Sequence, residues 1–308
     1  VATPGRLIDL IERKAIDLHR VKYLVLDEAD EMLNMGFRDD IDFVLMNTPH
    51  RESVWLFSAT MPNEVRSIAN NFMTSPAEVT IGKKNAANTD IEHQYFVTAA
   101  HHRFEALKRL IDFNPDIYGI IFTRTKAGAQ EVADKLNKEG YALEAIHGDL
   151  SQQQRDRVMQ HFRNREIQLL VATDVAARGI DVEGITHVIN YELPDDPEVY
   201  THRSGRTGRA GNKGICLSIC HSRELSRLRQ IENLIKMPIA KKNIPGAREI
   251  CQKKFNHFIE QLIRTDTDIE GMDDYITEAG QKFKSFSKEE IIKKMASYEM
   301  SQLFNYYK

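Results

Sequence analysis

Cysteine is scarce. Cys216, Cys220 and Cys251 are the only three in 308 residues; they cannot form a fully paired framework and contain no Cys-x-x-Cys spacing. A disulfide-stapled secreted domain is thereby excluded. Cys216 and Cys220 fall on one face of an expected strand, and His221 alone does not complete a ligand set, so packing and not zinc accounts for them. Long apolar runs are also missing. Nothing approaches the roughly 18 apolar residues of a membrane span, and the first residues carry no signal-peptide pattern. The expected setting is the cytoplasm, with no membrane partner. A surplus of positive charge is lacking too: 42 Lys and Arg against 45 Asp and Glu leave a net charge of −3. That excludes a diffuse polyanion-binding surface and leaves any such contact to local basic clusters.

What remains is ordinary soluble composition, 42% hydrophobic and 28% charged, at a length that suggests about two domains. Leu7, Leu10 and Ile11 share a helical face after the turn Thr3-Pro4-Gly5-Arg6. The apolar run Tyr23 to Leu26 predicts a strand buried on both faces of a parallel sheet, and a further strand is expected over 54–57. Pro62 then opens a helix to about Phe72. Residues 83–90 are small, polar and aperiodic, which places a linker between a first unit over 1–82 and a second over 91–240. The second unit repeats the alternation. Strands are expected at 92–97, 119–123, 142–146, 168–172, 187–191 and 214–220, with helices over 102–112, 127–138 and 152–162 between them. Past Pro238 the pattern turns helical and charged, giving a tail over 241–308.

Chemistry-bearing residues gather where strands stop. Asp27 and Glu28 end the first strand, where open α/β sheets bind ligands. Two adjacent carboxylates there suit Mg²⁺ and water, with Asp27 holding the ion of a nucleotide and Glu28 orienting or deprotonating the attacking water. They also suit a helix whose first-turn acids complement its dipole. Ser58 and Thr60 end another strand and would equally serve as helix caps. In the second unit Thr123-Arg124-Thr125, His147-Gly148-Asp149 and the run from Thr173-Asp174 to Gly179-Ile180-Asp181 each follow a strand. The segment 200–209 places Arg203, Arg206 and Arg209 three residues apart among glycines, as guanidinium forks for phosphate or as a solvated basic loop.

Taken in order, Thr3-Pro4-Gly5-Arg6, Asp27-Glu28-Ala29-Asp30, Ser58-Ala59-Thr60, Thr173-Asp174 with Ala177 to Asp181, and His202-Arg203-x-Gly205-Arg206-x-Gly208-Arg209 resemble the motif set of the DEAD-box RNA helicases, over Val1 to about Met237. The resemblance implies two RecA-like α/β domains, here the first incomplete, that close on ATP with Mg²⁺ and on RNA. It assigns Asp27 and Glu28 to Mg²⁺, through water, and to the attacking water. Asp30, Ser58, Thr60 and His202 would couple hydrolysis to strand separation. Gly179 and Asp181 would lie at the nucleotide, Asp181 on its ribose, and Arg206 and Arg209 would act as arginine fingers. Thr3, Gly5, Arg6, Gly148, Gln152, Arg155 and Thr173 would grip the RNA backbone, with Arg124 a further candidate.

One family element is missing. No Gly-x-x-x-x-Gly-Lys-Ser/Thr occurs, and the chain opens on Val1 as if in mid-domain, so the expectation is the back half of a first domain, a whole second domain and a tail. An RNA-binding clamp without turnover in this truncated form and a DNA-directed relative stay open, since phosphate contacts do not read the sugar. In the tail, Phe255, Phe258, Ile259, Leu262 and Ile263 make one apolar stripe. A Ser287/Glu290 capping box opens a second stripe, Ile291, Ile292, Met295 and Ala296, with Leu303 and Phe304 beyond. These stripes fit either packing within the chain or a homodimer through 246–308, and the segment resembles the helical dimerisation region of some bacterial cold-shock-type members.

Overall fold

The computed structural model describes residues 1–80, 90–209, 211–267 and 272–307. It divides into two compact units, Val1–Ala86 and Ala87–Lys308. Most of the expected linker lies outside the described residues.

In the first unit α1 (Pro4–Glu12) packs on α3 (Arg38–Met46), and α2 (Ala29–Asn34) on α4 (Asn63–Phe72). Strands β1 (Tyr23–Leu26) and β2 (Ser53–Leu56) pair in parallel, Leu24 opposite Val54 and Leu26 opposite Leu56. Those four residues face the helices and join Ile41, Leu45 and Ile68 in the core. The other face corrects the expectation of a strand buried on both sides: Tyr23 is 60% exposed, Val25 51%, Trp55 53% and Phe57 53%. The cause is the alternation of side chains along a strand, combined with a two-stranded sheet whose second face no described element of the unit covers.

The second unit is a seven-stranded, wholly parallel sheet in the order β5-β6-β4-β7-β8-β3-β9. Its strands are β3 (Ile91–Val97), β4 (Gly119–Thr123), β5 (Leu143–Ile146), β6 (Leu169–Thr173), β7 (His187–Asn190), β8 (Gly214–Cys220) and β9 (Ala240–Lys241). Parallel strands need crossovers, supplied by α5 (Arg103–Phe113), α6 (Lys126–Lys138), α7 (Gln152–Arg163), α8 (Pro197–Ser204) and α9 (Leu225–Ile235). Both faces of this sheet are covered, which is why β4, β6 and β7 are buried at every position. One core contains Phe122, Tyr200 and Ile231, the other Leu107, Leu136 and Ile219. Cys216 and Cys220 are buried among them as expected, their thiols pushed up to about 12 by burial.

Two buried histidines make this unit acid-sensitive. His93 on β3 and His187 on β7 are held near pKa 4, down from 6.5, because burial penalises the imidazolium. A depressed folded pKa means that the unfolded chain binds the extra proton. Their contribution is therefore complete above pH 6.5 and is lost as pH falls towards 4. At 1.36 kcal/mol per unit, each accounts for about 3 kcal/mol over that window. Replacing both by asparagine should flatten the unfolding free energy of the chain between pH 6.5 and 4; an unchanged slope in denaturant titrations contradicts this.

The tail consists of α10 (Ala247–Arg264), α11 (Met272–Phe283) and α12 (Lys288–Tyr306). It follows β9, a two-residue strand that the sequence pattern does not announce. The Ser287/Glu290 capping box is present. Helix α10 lies on α5 and on α12, and the chain end clasps α5. Tyr306 Oη donates to Glu105 at 2.7 Å, Tyr307 Oη donates to Asp112 at 2.6 Å, and Lys254 pairs with Asp112 at 3.4 Å. No helix among the described residues is long and apolar enough to cross a membrane.

Candidate functional site

In the first unit the end of β1 is tied to the end of β2. Phe57 N donates to Leu26 O at 2.8 Å, and Ala29 N donates to Phe57 O at 3.0 Å. The carboxylate of Asp30 is fully buried, and its Oδ2 accepts from both the amide and the hydroxyl of Thr60, each at 2.7 Å. Ser58 Oγ accepts from Asp30 N at 3.2 Å and donates to Thr60 O at 2.6 Å. The segments 27–30 and 58–60 are thus one hydrogen-bonded body, in which the Asp30 carboxylate accepts both bonds from Thr60. Thr60 is not a cap of α4, whose N-cap position is Pro62.

Glu28 has φ +51° and ψ +45°, a left-handed conformation that costs a side-chain-bearing residue about 1–2 kcal/mol. Asp27 Oδ1 accepts from Glu28 N at 3.0 Å, and Met32 N donates to Glu28 O at 3.0 Å. The result is a sharp turn from strand to helix with both acidic side chains exposed. Backbone strain held in place this way is common at functional sites. Among the described residues no three His, Cys, Asp or Glu gather as a metal cage. The paired carboxylates suit an ion such as Mg²⁺, which keeps several waters and takes its other ligands from phosphate. Thr3, Gly5 and Arg6 sit at the start of α1, where Arg6 pairs with Asp9 at 2.7 Å.

In the second unit α8 and the turn after it carry the basic segment. Arg206 Nη1 donates to Ile180 O at 3.1 Å, and Arg209 pairs with Asp181 at 3.2 Å while its Nε donates to Gly205 O at 2.7 Å. Gly179, Asp181, Arg206 and Arg209 are therefore brought together, and Gly179 at φ +67° makes the bend. The turn is pinned from beneath. Thr207 Oγ1 donates to Ile185 O at 2.5 Å, and a Cβ on Gly214 would lie 2.5 Å from Gly208 N.

These motif segments occur together in known proteins. Residues 1–68 match the family model described as DEAD/DEAH box helicase, 102–211 the helicase conserved C-terminal domain, and 250–308 the helical domain of a probable ATP-dependent RNA helicase. The DEAD-box ATP-dependent RNA helicase CshA of Bacillus subtilis (strain 168) is 43% identical over 281 residues, covering 91% of this chain and 57% of that protein. CshA of Geobacillus kaustophilus (strain HTA426) is 44% identical over 263 residues, 85% of this chain and 56% of that one. The structure of S. cerevisiae Dbp5 bound to RNA and ADP BeF3 matches with a TM-score of 0.74 at 33% identity, covering 84% of this chain and 68% of that one. The chain belongs to the DEAD-box RNA helicase family. It spans a little over half the length of these curated relatives.

Within this DEAD-box chain the remaining expected residues are separated by role. Arg155 Nη2 donates to Ala176 O, fastening α7 to the loop that begins at Thr173. Gln152, one turn earlier, bonds Asp156 at 2.7 Å, and Gly148 lies in the open turn after β5. Arg124 stands in a different network: it donates to Leu193 O at 2.8 Å and to Glu224 at 2.9 Å. His202 lies on the same helix as Arg203. Arg203 itself corrects the reading of three equivalent phosphate forks. It is 2% exposed and pairs with both oxygens of Asp174, at 2.5 and 2.8 Å, while Nη1 donates to Asn190 Oδ1 at 2.9 Å and to Glu192 O at 2.7 Å. Asp174 and Asn190 were not marked as site residues by pattern. For Asn190 the signal available was an amide directly after the apolar pair Val188-Ile189 of a strand.

Proposed function

We propose that the protein of which this chain is part is an ATP-dependent RNA helicase that couples ATP hydrolysis to local duplex separation or remodelling. The observation that carries this is the buried bond between Asp30 and Thr60, which makes the acidic turn and the Ser58–Thr60 segment move together. In this reading Asp27 holds Mg²⁺ through water, Glu28 activates the attacking water, and Arg206 and Arg209 neutralise charge on the transferring phosphate. Gly179 and Asp181 face the nucleotide; Thr3, Gly5, Arg6, Gly148, Gln152, Arg155 and Thr173 take RNA phosphates, giving salt-dependent binding with little sequence preference. Because the chain has no Gly-x-x-x-x-Gly-Lys-Ser/Thr to cradle phosphates, it is inactive by itself. The test is RNA-dependent ATP hydrolysis by the longer protein against this chain alone.

We further propose that the tail pairs two copies. Intramolecular packing covers only part of its stripes: Leu262, Ile263, Ile292, Met295 and Phe304 remain exposed. An apolar surface of that kind marks an interaction site. Light scattering over a concentration series should show a dimer at tens of micromolar, dissociated by Leu262→Asp. A monomer at every concentration leaves the tail as a brace on α5.

A further inference from the structure

Helix α8 is fastened to the sheet by two buried polar side chains one turn apart, Tyr200 and Arg203. Tyr200 is fully buried, and its hydroxyl lies 2.9 Å from His93 Nδ1 on β3. The same hydroxyl lies against Cys216 and Ser218 on β8. Ser218 Oγ accepts from Asn190 Nδ2 on β7 at 3.2 Å, and Asn190 Oδ1 accepts from Arg203 at 2.9 Å. Arg203 ends the series on Asp174, beside Thr173 at the tip of β6. Six side chains from three strands, one helix and one loop therefore run through a core that is otherwise apolar. Such a series costs desolvation at every member, and leucine, valine and phenylalanine would pack this space without that cost. What an apolar core lacks is direction. A hydrogen bond fixes the rotation and axial position of a helix within a few tenths of an ångström, whereas apolar contact tolerates sliding.

The position of α8 matters because its last residue, Ser204, is only two positions before Arg206, and Arg209 lies in the turn that follows directly. We propose that the buried series His93–Tyr200–Ser218–Asn190–Arg203–Asp174 sets the seat of α8 and so aims Arg206 and Arg209, making Tyr200 and Asn190 positioning residues for nucleotide turnover. The inference rests on the arginine roles proposed above and adds to them the device that holds them. It also ties both ends of the site together. Asp174 belongs to the loop that carries Gly179 and Asp181, so one chain of bonds orients the nucleotide-facing loop and the arginines relative to each other.

A two-background comparison in the longer protein tests this. Tyr200→Phe keeps the ring and its packing and removes only the hydroxyl. A misplacement of about 1 Å can cost 10²-fold in rate, so RNA-stimulated kcat should fall by about tenfold or more, with the KM for ATP and the RNA affinity held within about twofold. In an Arg206→Ala background the same change should cost much less, only what Arg209 still contributes, because residues acting through one group are not additive. Ser218→Ala, which removes one small hydroxyl at the middle of the series, should repeat the pattern and serves if Tyr200→Phe fails to fold. An unchanged kcat, or an equal loss in both backgrounds, overturns the proposal. Full turnover in Arg206→Ala alone removes the arginine role and the purpose of the series together. A strong Arg206→Ala effect beside a silent Tyr200→Phe and a silent Ser218→Ala removes the series alone.

Discussion

Alanine at Arg206 is expected to lower RNA-stimulated ATP turnover of the longer protein by about 10³-fold, the lower end of what an arginine finger supplies, or roughly 4 kcal/mol of transition-state stabilisation. RNA affinity should change little. The geometry behind this is specific: the guanidinium donates to Ile180 O and so stands beside the Gly179–Asp181 bend instead of reaching into bulk solvent. Its turn is held by Thr207 against Ile185 and crowded by Gly214, so the side chain is aimed before any nucleotide arrives. A loss below threefold would remove the finger role.

Arg203→Ala should act on stability. The residue lies three positions before Arg206 in sequence, yet its partners are Asp174, Asn190 and Glu192, all reached inside the protein. Removing it unpairs the Asp174 carboxylate, whose side chain is 31% exposed and can take up water, and leaves the buried Asn190 Oδ1 and the Glu192 carbonyl without their donor, each lost buried partner costing about 1–3 kcal/mol. Lysine should not rescue it, because a single ammonium cannot reproduce the two-pronged contact with Asp174. Denaturant unfolding of the chain should show the loss in the transition of the second unit. A change below about 1 kcal/mol, the range of an exposed pair, contradicts the assignment.

These two arginines show how far pattern reaches. The strands ending at Thr123 and Thr173 and the turn at Asp27 were legible because an apolar run stopped at polar residues, and a parallel sheet puts such stops along one edge. Arg203, Arg206 and Arg209 were not separable, because spacing and residue type are the same for all three. Only the fold, by placing Asp174 and Asn190 beneath α8, makes one of them structural. Strand β9 was invisible for a related reason: two residues carry no period, and Ala240 and Lys241 are strand only because Gln94 and Tyr95 pair with them. The exposed Tyr23, Val25 and Trp55 are the opposite case, residues whose apolar character correctly indicated strands but could not tell how many faces the described unit covers; Phe57, expected to end the second strand, lies one residue past it. In the tail the stripes were readable, whereas the clasp of Tyr306 and Tyr307 onto Glu105 and Asp112 joins residues about two hundred positions apart in sequence.

The central claim is that the carboxylate turn at Asp27–Glu28 hydrolyses ATP under the control of RNA. It is tested most directly by the steady-state ATP hydrolysis rate of the longer protein with and without RNA, measured beside its Glu28→Gln variant and beside this chain alone. The account predicts stimulation by RNA in the longer protein, retained RNA binding but no stimulated turnover in Glu28→Gln, and negligible turnover in the chain alone. Turnover indifferent to RNA, or surviving Glu28→Gln, would contradict it.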